Sequence, residues 1–317
     1  MNCDKVILAI DTSNYTTSVA VLSVEGELIA NLKRPLRVKA GERGLRQSDA
    51  VFAHTVNLPD IMAEARGYLA GRKVVAVGVS EKPRNREGSY MPCFLSGVAA
   101  AESVAAALGC PVYKFSHQCG HIMAAVYSSK NYKVLDGDFM AYHISGGTTE
   151  LVTVSPTDRA FVAETVGGTA DVNAGQLIDR VGVYMGLPFP SGKFIEELAL
   201  QNTAKIPKKK ISRKDLFLNL SGVENIAIKL YDETKNKELT SAFVLDYIGR
   251  ALVELTEAMQ EKYGNLPLVC AGGVMCNSII KSMLAERFDA SFAEPSMSAD
   301  NAVGIAALSL RAYLSEK

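Results

Sequence analysis

Residues 6–21 read VILAIDTSNYTTSVAV, and residues 139–154 read FMAYHISGGTTELVTV. Each stretch has a β-rich run, a small polar turn with a Thr-Thr pair, and a second β-rich run, which is the pattern of a β-hairpin. A hairpin that occurs twice, once near the start of each half, indicates an internal duplication. We therefore expect two related lobes, each of which begins with a hairpin.

Patterns of helix and strand alternate along the rest of the chain. Helical patterns cover residues 51–69, 95–108, 174–185, 192–201, 239–263 and 303–314, and strand patterns cover residues 74–79 and 266–270. Strands that alternate with helices predict an α/β fold. With 317 residues, of which 48% are hydrophobic, the chain is long enough for two lobes that each bury a core.

Charge and composition narrow the class of protein. The 34 basic and 34 acidic residues cancel, so nucleic acid would have to bind at a local patch. The best candidate is residues 205–214, KIPKKKISRK, which is either a solvated loop or a phosphate-contacting segment. The six cysteines form no CxxC pair, as is typical of reduced thiols. No signal-peptide pattern and no apolar run of about 20 residues occurs, so we expect a cytoplasmic protein without a membrane partner.

Two of the four histidines, His117 and His121, lie four residues apart at the head of a helical stretch, 122–127. Four residues are just over one helical turn, so both imidazoles can face one metal ion. Zinc proteases use the same spacing, but Gln118 stands where their general-base glutamate would be, and an amide cannot take a proton from water. Taken alone, the pair is equally compatible with two ordinary hydrogen-bonded histidines.

Three further polar residues each have two interpretations. Asp300 is either the N-cap of the last helix or a carboxylate that completes a metal site with the two imidazoles. His54 is better explained as a partly buried histidine with satisfied hydrogen bonds than as a further ligand. His143 either contacts a ligand phosphate or packs beneath the second hairpin.

Glycines and hydroxyls mark two places where a ligand can approach the backbone. The turns of the two hairpins leave backbone N–H groups open to an anion, so we expect them to hold the phosphates of a nucleotide. Gly272 and Gly273 follow the strand at 266–270 and open a helix. A glycine pair in that position allows either close approach of a nucleotide or close packing of strand and helix.

The order of these motifs resembles that of a known family. The paired hairpins, His-x-x-x-His, Ser-Gly-Gly, Gly-Leu-Pro-x-Pro-x-Gly, Gly-Gly-Val-x-x-Asn and Asp-Asn-Ala occur in the order found in the tRNA threonylcarbamoyladenosine transferases, the TsaD-type proteins once called glycoproteases. The resemblance implies the duplicated, ribonuclease-H-like, two-lobed fold of actin, Hsp70 and sugar kinases (ASKHA). The first lobe would be residues 1–135, completed by a helix at about 303–317, and the second lobe would be residues 136–302.

The resemblance also implies a ligand set and a reaction. One divalent ion, iron or zinc, would be held by His117, His121 and Asp300. The residues that would meet ATP, AMP or threonylcarbamoyl-AMP are Ser13, His143, Ile144, Ser145, Gly146, Gly147, Asp179, Gly192, Gly272, Gly273 and Asn277, and those assigned to catalysis are Asp11 and Ser145. In that family the amine of the adenosine beside the anticodon of tRNA attacks the carbamoyl carbon and AMP leaves. A metal that acts as Lewis acid and template suffices for this chemistry, and peptidase activity is not expected.

The chain also departs from the family pattern. Where the family carries a cysteine and two acidic residues, this chain has Asn14, Tyr15 and Thr16, and Thr148 replaces a histidine. These departures indicate a diverged member and leave a second hypothesis, a non-catalytic nucleotide-binding subunit that regulates a true transferase. The retained histidines and Asp300 favour an enzyme, because a scaffold gains nothing from a metal site. The expected partners are tRNA, proteins of the threonylcarbamoyladenosine pathway, or a second copy of the chain.

Overall fold

The computed structural model describes residues 4–13, 15–36 and 45–317, so that Asn14 lies outside the described residues. In chain order, the first elements are β1 Lys5–Asp11, β2 Thr16–Ser23, β3 Leu28–Pro35, α1 Gln47–Leu69, β4 Lys73–Lys82, α2 Phe94–Leu108, β5 Val112–Ser116 and α3 His117–Ser129. The elements that follow are β6 Phe139–Ile144, β7 Thr149–Pro156, β8 Phe161–Thr169, α4 Ala174–Tyr184, α5 Gly192–Leu200, β9 Arg213–Lys214, β10 Phe217–Leu218, α6 Ser221–Thr234, α7 Lys237–Tyr263, β11 Leu268–Ala271, α8 Ser278–Ala285, β12 Ala290–Phe292, α9 Pro295–Ser298 and α10 Val303–Ser315.

The first hairpin lies at the centre of a sheet whose described strands have the order β3-β2-β1-β4-β5. β2 runs antiparallel to β1, and β4 runs parallel to it. Alternate side chains of β1 face opposite sides: Val6 and Leu8 pack against α1 and α2, whereas Asp11 faces α3. Helices cover both faces, which explains why β1 reads as an unbroken apolar run.

The second hairpin starts a second sheet with the same plan. Its described strands have the order β12-β11-β6-β7-β8-β10-β9. β6 pairs antiparallel with β7 and parallel with β11, as β1 pairs with β2 and β4. The run β8-β7-β6-β11-β12 therefore repeats the run β3-β2-β1-β4-β5, and the predicted duplication is confirmed.

The described chain divides into two compact units. Unit 1 comprises the described parts of Met1–Lys130, together with Ser155–Glu164 and Ala299–Lys317, and unit 2 comprises Asn131–Val154 and Thr165–Ser298. Unit 1 is thus discontinuous, because α10 joins it after nearly all of unit 2 along the chain. The predicted domain boundaries at residues 135 and 302 stay a prediction about folding domains.

The predicted helices are confirmed with small shifts at their ends. One helix begins later than the sequence indicates: a single 3-10 turn, Gly273–Cys276, follows β11, and α8 starts only at Ser278. The elements without a counterpart among the predictions are strands β3, β5, β8, β9, β10 and β12 and helices α6 and α9. β3 reads LIANLKRP, in which polar residues interrupt the apolar pattern because the strand forms the edge of its sheet.

Two class predictions concern thiols and membranes. The described cysteines are all free thiols: Cys93, Cys110, Cys119, Cys270 and Cys276. Among the described helices, none combines the length and the apolar character needed to cross a membrane.

Asp171 holds the start of α6 in unit 2. Leu220, at the N-cap position, offers no side-chain hydrogen bond. Instead the Asp171 carboxylate accepts hydrogen bonds from the N–H groups of Leu220 and Ser221 and from the Ser221 hydroxyl. Burial alone would raise the pKa of Asp171, but these hydrogen bonds lower it to about 2. Asp171 therefore acts as a cap supplied from outside the helix.

We expect Asp171→Ala to lower the free energy of unfolding by about 1 to 2 kcal/mol near neutral pH. Because the folded pKa is depressed, this stabilisation is complete above the unfolded value of about 3.9 and is lost as the pH falls towards 2. Urea unfolding of variant and wild type should therefore show a difference that shrinks on acidification. Asp158→Ala, at an exposed turn, is the control. A difference independent of pH would contradict the capping role.

Candidate functional site

The first turn of α3 carries both histidines. Ser116, the last residue of β5, caps the helix, because its hydroxyl accepts the N–H of Cys119 at 3.2 Å. The cap starts the helix at His117, so His121 lies one turn later on the same face. The two side chains are only 13% and 6% exposed. The sequence spacing thus places two imidazoles side by side in a sheltered position.

Helix α10 meets α3 at a pair of glycines. A Cβ built on Gly304 would stand 1.8 Å from the carbonyl oxygen of Gly120. A Cβ built on Gly120 would stand 3.0 Å from Ile305 Cδ1. Only the absence of a side chain at Gly304 lets the two backbones come this close. The contact brings the segment before α10, which contains Asp300, beside the histidine-bearing turn.

Asp300 does not cap α10. The N–H of Val303 donates instead to Asn301 Oδ1 at 3.0 Å. The Asp300 carboxylate points to the histidines, with Oδ1 at 3.2 Å from His121 Nε2. The cap interpretation of Asp300 is therefore wrong, because Ala302 occupies the N-cap position and the Asp300 carboxylate is engaged with the histidines.

The three groups converge with the spacing of metal ligands. His117 Nε2 and His121 Nε2 are 3.0 Å apart, and Asp300 Oδ1 lies 3.5 Å from the former and 3.2 Å from the latter. Two ligands that each bind a tetrahedral ion at about 2.0–2.1 Å stand about 3.3 Å apart. Two nitrogens and one carboxylate oxygen suit iron or zinc and leave positions for a ligand. The donor set therefore fits the divalent ion that the sequence predicts.

Asp11 lies behind His117 and fixes its orientation. Asp11 Oδ2 is 2.9 Å from His117 Nδ1, so the imidazole directs Nε2 towards His121 and Asp300. A carboxylate on the far nitrogen of a ligating histidine is the usual outer-shell partner at metal sites. Asp11 is 0% exposed, which favours a positioning role over direct contact with a substrate.

The charges of the cluster suit a cation. Burial lowers the pKa of His121, and the neighbouring His117 lowers it further. At His117 burial works in the same direction, but the carboxylates of Asp11 and Asp300 outweigh it and raise the pKa above the ordinary imidazole value. Burial would raise the pKa of Asp300, yet hydrogen bonds with both histidines lower it. Two carboxylates around two imidazoles thus form a negative pocket that a divalent ion can fill.

The polar residues of the first hairpin turn are engaged inside unit 1. Ser13 donates its N–H to Asp11 Oδ1 at 2.9 Å and its hydroxyl to Asp11 Oδ2 at 3.1 Å. Thr12 donates its hydroxyl to the carbonyl oxygen of Cys93. Both Thr12 and Ser13 are 0% exposed. The described part of this turn therefore holds Asp11, the partner of His117, in place, and the predicted contact between Ser13 and a nucleotide stays a prediction.

Two residues of this cluster escaped the sequence analysis. Ser80, on β4, donates its hydroxyl to Asp11 Oδ1. Lys33, on β3, stands opposite Ser18 of β2, which stands opposite Asp11 of β1. Residues directly opposite share a face of the sheet, so Lys33 faces the cluster's side. Burial lowers the pKa of Lys33, and the charge of Asp300 opposes that shift. The register of β4 on β1 brings Ser80 to Asp11, and the register of β3 on β2 brings Lys33 to the same face, but neither register is visible in the sequence.

His54 is fully buried on α1 and lies outside the metal-ligand group. Its Nδ1 is 2.9 Å from the hydroxyl oxygen of Thr17, as the satisfied-histidine interpretation requires. Its Nε2 has no hydrogen-bond partner within the described part of the chain. The interpretation of His54 as a histidine with satisfied hydrogen bonds therefore holds for Nδ1.

The Ser-Gly-Gly turn of the second hairpin lies in unit 2. It follows His143 and Ile144, which are both buried on β6. The N–H of Ser145 donates to Thr148 O at 2.8 Å, and the Ser145 hydroxyl accepts the N–H of Gly147. A Cβ built on Gly146 or Gly147 would meet nothing within 4 Å. The exposed glycines leave room for a ligand, and the predicted anion contact at this turn stays a prediction.

The Gly272–Gly273 pair divides into two roles. Gly272 has φ +97°, and a Cβ on it would stand 2.3 Å from Ile144 O, so close packing on β6 already requires glycine there. Gly273 has open space around its Cα. Asn277 caps α8, because its Oδ1 accepts the N–H groups of Ile279 and Ile280. The packing of Gly272 and the helix cap formed by Asn277 do not depend on a bound nucleotide.

Asp179 and Gly192 come together on another side of unit 2. Asp179 Oδ1 accepts the N–H of Ser191, the residue before Gly192, at 2.7 Å. Burial raises the pKa of Asp179, and this hydrogen bond opposes the shift. The carboxylate lines a cavity of about 350 Å³ with Tyr184 and Phe189 among its walls. An aromatic wall beside a carboxylate suits a nucleoside, but the contact itself stays a prediction.

Most of the chain is similar to known tRNA-modifying transferases. A family model described as TsaD, tRNA N6-adenosine threonylcarbamoyltransferase, matches residues 37–307. The tRNA N6-adenosine threonylcarbamoyltransferase of Streptococcus suis (strain 05ZYH33) is 33% identical over 294 residues, which cover 89% of this chain and 84% of that protein. The protein of the same name from Streptococcus gordonii is 33% identical over 297 residues, with the same coverage of both chains.

Solved structures with similar folds are far more distant in sequence. HypF from T. kodakarensis has a TM-score of 0.66 at 12% identity; the match covers 100% of this chain and 48% of HypF. Component A of the (R)-2-hydroxyglutaryl-CoA dehydratase of Acidaminococcus fermentans has a TM-score of 0.55 at 14% identity, over 98% of this chain and 99% of that one. These similarities show the fold alone and confirm the ribonuclease-H-like class. By the family model and the relatives at one-third identity, the chain belongs to the tRNA N6-adenosine threonylcarbamoyltransferase family, a family of tRNA-modifying transferases.

Proposed function

We propose that this protein transfers a threonylcarbamoyl group from its adenylate to the N6 amine of an adenosine in tRNA, and that it requires a divalent ion at His117, His121 and Asp300. The observation that carries the proposal is the convergence of these three ligands in a member of this family. Burying carboxylates and imidazoles this close together is costly for folding unless a cation compensates. The cluster is thus better explained by a bound ion than by stability.

The protein's own groups would bind and orient the reactants. The ion, when bound, supplies a Lewis acid and a template. Asp11 holds His117 so that Nε2 faces the ion, and the hydroxyls of Ser13 and Ser80 fix the Asp11 carboxylate in turn. We therefore assign Asp11 to positioning instead of the catalytic role that the resemblance gave it. Lys33 adds a positive charge on the same face of the sheet, which suits an anionic adenylate.

The proposed reaction balances as a group transfer. The N6 amine attacks the carbamoyl carbon and a C–N bond forms. The bond from that carbon to the phosphate oxygen breaks, and AMP leaves with the bonding pair. The amine loses one proton to solvent water. No step requires a protein nucleophile, so orientation of the two substrates is the main contribution of the residues around the site.

The test measures the modified nucleoside directly. Protein reconstituted with iron or zinc is incubated with threonylcarbamoyl-AMP and unmodified tRNA, and the digested nucleosides are analysed by mass spectrometry. We expect N6-threonylcarbamoyladenosine to form at least about 100-fold faster than with the Asp300→Asn variant, because loss of a ligand weakens ion binding more than loss of an outer-shell partner does. A tRNA with guanosine in place of the target adenosine is the substrate control.

One outcome would favour the second hypothesis. Protein that binds one metal ion and the adenylate, yet leaves tRNA unmodified, would act as the non-catalytic subunit. The replacement of the family's acidic pair by Tyr15 and Thr16 would explain such a result.

A further inference from the structure

The basic segment, residues 205–214, is anchored to the core of unit 2 along its length. Ile211 is 6% exposed and belongs to the core. Tyr247 on α7 binds the backbone twice, because its hydroxyl donates to Lys210 O and accepts the N–H of Ser212. Arg250 donates to the carbonyl oxygen of Lys209 at 3.0 Å. The backbone of the segment is therefore held on the surface of unit 2. A loop that is merely solvated would not need these contacts.

The six basic side chains of this segment form two sets: two have a carboxylate partner and four do not. Lys208 pairs with Asp246, and Arg213 pairs with Glu254. The other four are exposed, and no described carboxylate lies within 4.0 Å of their ammonium groups: Lys205, Lys209, Lys210 and Lys214. Two of the cations thus have a carboxylate partner, while four lysines present uncompensated positive charge to solvent.

An exposed aromatic ring, Phe217, lies beside one of these lysines, Lys214. β9 and β10 form a two-residue hairpin in which Phe217 stands directly opposite Lys214. Leu216 and Leu218, on either side of Phe217, are each 1% exposed, so Phe217 projects outward and is 41% exposed. The hairpin is held to β8 by the hydrogen bond from Gly168 N–H to Leu216 O at 2.8 Å. A rigid edge therefore presents a ring and an ammonium group on one face.

We infer that the four free lysines and Phe217 form the tRNA-binding surface of unit 2, in which the lysines contact phosphates and Phe217 stacks on an unpaired base. Lysines next to an exposed aromatic ring are the combination that binds single-stranded nucleic acid. A protein partner would bury Phe217 against apolar groups, but four uncompensated ammonium groups in one segment, one of them directly opposite Phe217, favour a polyanion. The inference rests on the proposed function, because it takes tRNA as the substrate.

The lysines are tested by salt dependence. Binding of labelled unmodified tRNA is followed by fluorescence anisotropy over a range of salt concentrations. Replacing the four lysines by glutamine should make the slope of log affinity against log salt shallower by about 3, since each lost phosphate contact contributes about 0.7 to 0.9. The control replaces four exposed lysines on other elements of unit 2 and should leave the slope unchanged: Lys229, Lys235, Lys262 and Lys281.

Phe217 is tested by affinity at fixed salt. Phe217→Leu keeps an apolar side chain but removes the stacking face, so we expect about tenfold weaker tRNA binding with an unchanged salt slope. Tyr263→Leu, at the end of α7 with 37% exposure, is the matched control. The different signatures of the two variants, slope for the lysines and affinity for Phe217, separate phosphate contacts from stacking.

The outcomes distinguish this surface from the proposed function. If either test variant binds tRNA like its control, the surface is overturned, while wild-type formation of threonylcarbamoyladenosine would still support the transferase. If wild-type protein neither binds nor modifies tRNA, both proposals fall.

Discussion

Replacement of His121 by alanine is expected to reduce bound metal from about one equivalent to a trace and to abolish threonylcarbamoyl transfer. His121 Nε2 is within 3.2 Å of both other ligand atoms, so its loss leaves two of three donors. Metal content by mass spectrometry after gentle purification is the measurement. Asp300→Ala should give the same result, because it removes the only described carboxylate in the ligand group.

Two further variants test whether metal affinity follows each residue's distance from the proposed ion. Asp11→Asn keeps all three ligands but weakens the partner of His117, and we expect metal affinity to fall by about 10- to 100-fold without being lost. His54→Asn removes a buried imidazole outside the ligand group and should retain the ion. Metal retained at wild-type level in His121→Ala would show that the cluster is a hydrogen-bonded histidine pair instead.

Gly304→Ala is expected to destabilise unit 1 by about 3 kcal/mol and to disturb the metal cluster at the same time. The new methyl group would stand 1.8 Å from Gly120 O and 2.8 Å from Ala124 N, both of which are helix backbone. Neither atom can move alone, so α10 must shift away from α3. Since Asp300 precedes α10 and both histidines lie on α3, the same shift separates the ligands.

Urea unfolding and metal content together measure this effect. Gly67→Ala on α1 is the matched control, because no atom lies within 4 Å of its Cβ position. Alanine should stabilise that helix by about 0.5 to 1 kcal/mol. If Gly304→Ala unfolds at the same urea concentration as wild type and keeps its ion, the helix contact is not what positions Asp300.

The fold could be predicted to the extent that its pattern is local. The hairpins and most helices have periodic apolar residues, and both sheets grow from the two predicted hairpins. β3 and the two-residue strands β9 and β10 were missed, because their residues pair through contacts between distant parts of the chain. Register between strands is a property of the fold and does not appear in any window of sequence.

The residues of the site also divide into those that a local sequence pattern reveals and those that only the fold brings together. The spacing of His117 and His121 is visible locally, but Asp300 is 179 residues from His121 along the chain, and only the family resemblance joined them. Residue type alone also misassigned some groups. Asn301, and not Asp300, accepts the N–H of Val303 at the start of α10, and Gly272 is needed for packing on Ile144 whether or not a nucleotide binds. Such roles depend on which atoms are already satisfied, and sequence does not record that.

The discontinuity of unit 1 has a consequence for biosynthesis. A ribosome that adds about 5 to 20 residues per second takes about 10 to 30 s to pass from α3 to α10. Throughout that interval the nascent chain carries the β1 to β5 sheet without the helix that buries Val303, Ile305 and Leu308 against it. The apolar face that α10 covers in the folded unit stays uncovered until that helix has been made. The proposed ligand set is complete only after Asp300 has been translated, so under the proposed function the ion would bind at a late step of synthesis.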